Sequence, residues 1–88
     1  MRPPNPIHPG RMLQEEFLIP AGTSQRAFAR QVGWTAARLN ELINGKRGIT
    51  ADAALDLASA LGTSPDLWLN LQLQFDLHRA ETRRRRAS

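Results

Sequence analysis

The chain has 88 residues, 41% of them hydrophobic, a formal net charge of +4 and no cysteine. That is enough for one small domain but not for a large core, so a partner surface is expected to complete it. A disulfide framework or a Cys-based zinc site is excluded. No stretch has the length of a membrane-spanning helix, and the opening MRPPNPIHPG lacks the apolar run of a signal peptide, so a cytoplasmic protein without membrane contact is expected.

Residues 1–8 are Pro-rich and read as an extended arm. Pro9 suits the first position of a helix, where its missing N–H costs nothing. The spacing predicts a helix over 9–18 that buries Met12, Leu13 and Phe17. Pro20 is expected to end it by removing a donor and restricting the residue before it. The domain proper is expected to span 9–80.

The next stretch, SQRAFARQVGWTAARLNELINGKR, is the one around which the chain is organised. Ser24 reads as an N-cap, and Phe28, Ala29 and Val32 line one face of a helix. Gly33 permits the positive φ that turns the chain. Thr35 then caps a second helix, buried through Leu39, Leu42 and Ile43 and closed by Asn44-Gly45. Two short helices joined by a Gly-containing turn form a helix-turn-helix over about 24–45, whose second helix enters the DNA major groove.

After the loop glycine Gly48, Thr50 caps a fourth helix, with Asp52 in its first turn where the helix dipole favours a carboxylate. Ala54, Leu57, Ala58 and Leu61 supply the core-facing stripe, and Gly62 ends the helix. Pro65 and Asp66 start a fifth. There Leu67, Leu69, Leu71, Leu73, Phe75 and Leu77 alternate with the period of a strand. The residues are not β-branched, however, and a lone strand would leave its backbone unpaired, so the segment reads as a helix. Leu67, Trp68, Leu71 and Phe75 then fall on one side, and Leu69, Leu73 and Leu77 nearly opposite. A helix apolar on two sides must be covered on two sides. The second side is expected to form a homodimer interface. Residues 81–88, with the run Arg83 to Arg86, read as a basic, disordered tail because like charges repel.

The charge is segregated. Residues 24–47 carry Arg26, Arg30, Arg38, Lys46 and Arg47 against Glu41 alone, whereas 48–82 hold five carboxylates against Arg79. A basic face on a neutral body suits a surface that meets phosphates. On the second helix the outward residues are Ala36, Ala37, Asn40, Glu41 and Asn44, with Thr35 at its mouth. These six are the candidates for base contacts. Asn can pair with adenine, Glu can accept from cytosine N4, and Ala can meet a thymine methyl. Gln25, Arg26, Arg38, Lys46 and Arg47 are the candidates for phosphate contacts. His8 and His78 are the only histidines and lie far apart. No nucleophile–base arrangement or phosphate-cradling Gly-rich loop is present, so no catalytic residue, metal, cofactor or small-molecule substrate is expected.

Gln25, Ala29, Gly33, Leu39, Leu42 and Asn44-Gly45 stand where the phage-repressor-like helix-turn-helix family has its pattern. The flanks IHPGRMLQEEFL, NGKRGITADAALDLASALGTSP and DLWLNLQLQFDL narrow this. Over about 7–78 the chain resembles the HigA antitoxins, the DNA-binding halves of HigBA toxin–antitoxin modules. The resemblance implies an all-α domain of about five helices, like the lambda repressor's DNA-binding domain, that dimerises and binds a palindromic operator in its own promoter. It also implies a HigB-like partner, a small RelE-like mRNA-cleaving toxin. Trp34 stands where that family usually has a smaller aliphatic residue and reads as core or turn packing. A helix-turn-helix repressor without a toxin, or a module that binds only protein, remains open from the residues alone.

Overall fold

The structure is a computed structural model that describes residues 5–87. Within them the chain forms five helices and no strand. Helix α1 runs Pro9–Leu13, continues as a π-helical turn over Gln14–Leu18 and resumes over Ile19–Ala21. The others are α2 (Gln25–Val32), α3 (Ala36–Ile43), α4 (Ala51–Leu61) and α5 (Pro65–Ala87).

Each N-terminus is fixed by a side-chain acceptor. Ser24 accepts from the Ala27 N–H, Thr35 from Arg38, Thr50 from Ala53 and Ser64 from Leu67, all within 3.2 Å. Such caps satisfy N–H groups that the helix itself leaves orphaned. Gly33 takes φ 76°, a left-handed conformation that costs other residues a steric penalty, and so reverses the chain between α2 and α3.

The core is one cluster contributed by every helix. Leu13 and Leu18 come from α1, Phe28 and Ala29 from α2, Leu39 and Leu42 from α3. Ala53, Ala54 and Leu57 come from α4, Trp68 from α5, and Trp34 and Ile49 from the connections. Trp68 is fully buried, and its indole N–H donates to Thr63 Oγ1 at 2.8 Å. Met12, Phe17, Val32, Ile43, Leu61 and Leu71 pack around the cluster half-buried.

Four expectations need correction or limitation. First, α1 does not stop at Leu18. It passes through Pro20 because the chain winds wider there: the Ile19 N–H donates to the Gln14 carbonyl, five residues back. The wider turn moves the carbonyl that the proline ring would otherwise strike. Second, residues 81–87 are not disordered but continue α5. Arginine is a good helix former, and Arg84, Arg85 and Arg86 in the last turn face the negative end of the helix dipole. Third, Leu67 is not in the core; it is 36% exposed on the first turn of α5. Fourth, residues 1–4 of the expected arm, and Ser88, lie outside the described residues. Residues 5–8 precede the first helix, and His8 is extended.

Candidate nucleic-acid interface

Helix α3 is held from behind by Leu39 and Leu42, both buried, which turns the opposite side outward. Thr35, Ala36, Ala37, Asn40 and Asn44 are exposed, and Glu41 is half-buried. Gln25, on the first turn of α2, reaches this face. Asn44 Nδ2 donates to Asn40 Oδ1 at 3.1 Å, and Asn40 Nδ2 donates to Gln25 Oε1 at 3.3 Å. The structure thus brings one phosphate candidate and two base candidates into a single exposed hydrogen-bonded ridge. A ridge of amides offers both donors and acceptors, as base edges and phosphates require.

The turn after α3 carries the next two. The Lys46 N–H donates to the Glu41 carbonyl at 2.8 Å. The Arg47 guanidinium donates twice to Glu41 Oε1, at 2.9 and 3.2 Å. This pair is about half exposed, so it contributes little stability and can open when a phosphate arrives. Glu41 is therefore engaged by its neighbour rather than presented alone. Arg26 is exposed on α2. Arg38 stands apart from the ridge, its guanidinium over the Trp34 ring at 4.1 Å from the centroid. The Trp34 indole is 8% exposed and donates to Asp56 Oδ2 at 2.9 Å. Trp34 is thus a core and turn-packing residue, and it also orients Arg38.

Sequence reasoning missed His8. Its Nδ1 accepts from the Gly10 N–H at 2.9 Å and caps α1. Its ring meets Phe75 of α5 edge-on, with centroids 4.8 Å apart, and lies beside Gly45 of the turn after α3. A proline immediately after a polar residue was the available signal, but histidine is not among the common caps. Burial, the largest influence, pushes the His8 pKa below its ordinary 6.5. Asp76 and the Arg47 backbone oppose this, and Arg79 adds a smaller push downward. The fold therefore favours the neutral ring. Its contribution is fully present above pH 6.5 and is lost as pH falls through 6.5 toward the lowered value. His8→Asn keeps a capping oxygen and removes the titration. Thermal melts are expected to show a smaller loss of midpoint between pH 7 and pH 5 for this variant than for the native chain; equal losses would refute the assignment.

Of the three residues expected at a dimer interface, Leu69 and Leu73 are 38% and 50% exposed and Leu77 is half-buried. Among the described residues no group of His, Asp and Glu has the geometry to hold a metal ion.

Residues 14–68 match the family described as Helix-turn-helix, a span from the π turn of α1 to Trp68. The chain is 43% identical over 72 residues to the antitoxin HigA-1 of Vibrio cholerae, covering 82% of this chain and 68% of that one. The chain belongs to the HigA family of helix-turn-helix proteins. A further relative, virulence-associated protein I of Dichelobacter nodosus, is 45% identical over 75 residues, or 85% of this chain and 69% of that one. The structure of the Pseudomonas aeruginosa antitoxin HigA with the higBA promoter superposes with a TM-score of 0.88 at 36% identity, covering 94% of this chain and 90% of that one. The HigA fold extends past residue 68 in this comparison, so α5 belongs to the shared domain. No helix among the described residues is long and apolar enough to cross a membrane.

Proposed function

We propose that the chain is the antitoxin of a type II toxin–antitoxin module. It binds operator DNA in its own promoter as a homodimer, represses its operon and neutralises a HigB-like, RelE-like mRNA-cleaving toxin in the cytoplasm. The observation that carries this reading is the exposed ridge Gln25–Asn40–Asn44 beside Lys46 and Arg47, set on a helix-turn-helix in a chain of the HigA family. Thr35, Ala36, Ala37, Asn40, Glu41 and Asn44 meet the bases. The two alanines let the α3 backbone approach closely and leave hydrogen bonding to the amides. Gln25, Arg26, Arg38, Lys46 and Arg47 meet the backbone. Leu69, Leu73 and Leu77 join the two copies.

Replacing Lys46 and Arg47 together with Gln tests the phosphate role. In a gel-shift titration on the DNA upstream of the gene, affinity is expected to fall equally on operator and mixed-sequence duplexes. The slope of log K against log salt is expected to shrink by about 0.9 for each phosphate that is no longer neutralised. An unchanged slope would overturn the role. Co-purification of the product of the neighbouring gene tests the toxin part. Operator binding with no such partner would leave a plain repressor.

A further inference from the structure

Helix α5 has 23 residues, so it is about 34 Å long, and the molecule measures 45 × 23 × 23 Å. Its middle is tied to the turn that follows α3. The Ile49 N–H donates to Gln72 Oε1 at 2.7 Å, and Phe75 holds His8, which sits beside Gly45. Gln72 and Phe75 therefore mark the side of α5 that faces the turn bearing Lys46 and Arg47. At about 100° per residue, Arg79, Arg83 and Arg86 fall within the same 80° arc as these two. Arg79 lies over the Phe75 ring at 5.6 Å. Farther along, Arg79, Arg83 and Arg86 line a shallow groove with His78 and Thr82. Glu81 falls on the far side of the helix.

We propose that Arg79, Arg83 and Arg86 form a second phosphate-binding strip, which continues the Lys46–Arg47 turn along α5 and grips duplex DNA outside the bases read by α3. The proposal rests on the operator-binding reading. The ligand is a polyanion rather than a protein surface, because the arc beyond Phe75 carries three guanidiniums and no large apolar side chain. A protein interface needs an apolar centre, whereas a phosphate backbone needs only spaced cations. The spacing fits, since the arginines follow one another every 4.5–6 Å along the axis, by helix geometry, and adjacent phosphates on one strand are of similar separation. The three arginines also lie beyond the matched helix-turn-helix span, 14–68, so base reading does not account for them.

The test is Arg79→Gln, Arg83→Gln and Arg86→Gln combined, with Arg85→Gln as the control on the far side of α5, because Arg84 falls on the leucine face that joins the copies. Circular dichroism checks that α5 stays helical, as glutamine favours. Binding is measured between 50 and 200 mM salt on a duplex from upstream of the gene and on a mixed-sequence duplex of equal length. The triple variant is expected to lose about 0.9 of salt slope per phosphate released on both duplexes, about 2–3 per protomer, and to keep its preference for the upstream duplex. The control is expected to lose clearly less per charge removed. An unchanged slope in the triple variant, or an equal loss per charge in the control, overturns the strip. Equal binding of both duplexes by the native chain would instead refute the operator reading, and a slope reduced only in the triple variant would still support the strip.

Discussion

Leu69→Lys with Leu73→Lys is expected to yield a folded monomer whose operator affinity falls by about 10²–10⁴, the range gained by linking two binding units. Both leucines stand on α5 at 38% and 50% exposure, so lysine there buries no charge within one protomer. The monomer is expected to keep its helical circular-dichroism signal while its melting midpoint falls only by what dimerisation contributes. Across a two-fold interface the same lysines face each other and repel. A helix-turn-helix dimer places its two reading helices one DNA turn apart, and separating the copies leaves each with half a site. The added charges attract phosphate, so a loss of affinity cannot come from the charges themselves. Light scattering after size exclusion reads the mass directly; an unchanged oligomer would refute the α5 interface.

Gly10→Ala is expected to destabilise the fold by about 3 kcal/mol, the upper end of ordinary overpacking. At about 4–8 °C per kcal/mol for a domain of this size, the melting midpoint falls by at least about 10 °C. Helix propensity alone says the opposite, since alanine is better than glycine within a helix by about 1 kcal/mol. The structure reverses the sign. A Cβ on Gly10 would penetrate the Leu42 carbonyl oxygen and lie 2.5 Å from its carbon and 2.9 Å from Ile43 Cα. These obstacles are backbone atoms, which cannot swing aside. Helix α1 must then lift from the end of α3, disturbing the residues that lead into Asn44, Lys46 and Arg47. A stabilised variant in thermal melts would show that the two helices are not in contact.

The caps and the turn between α2 and α3 were legible because their causes are local. Ser24, Thr35 and Thr50 accept hydrogen bonds three residues on, and Gly33 supplies its own conformation. The core positions Leu39, Leu42 and Leu57 followed from helical period. Pro20 misled because its effect depends on the winding of the preceding turn, which a π-helical segment changed. Repulsion within the arginine run does not unwind it, because the helix is already started upstream and arginine favours its continuation. Ile49 joined the core without periodicity, from a loop that Gln72 holds in place.

For the candidate site, period alone put Thr35, Asn40 and Asn44 on the open face of α3. It could not show that Asn40 bonds to Gln25 or that Arg47 closes on Glu41. Nor could it show that Arg38 lies on Trp34. Those pairings join residues of different segments, and their distances are set by packing.

By itself the sequence determined an all-α chain, the helix-turn-helix, the basic character of its reading unit and its likeness to the HigA antitoxins. Each depends on residue type at short spacing, where caps, periods and local charge act. Only the tertiary structure decided that Gly10 must be glycine, that His8 links α1 to the turn after α3, and that residues 81–87 continue α5 as helix. These depend on which segments meet, and that is settled by burying one shared core.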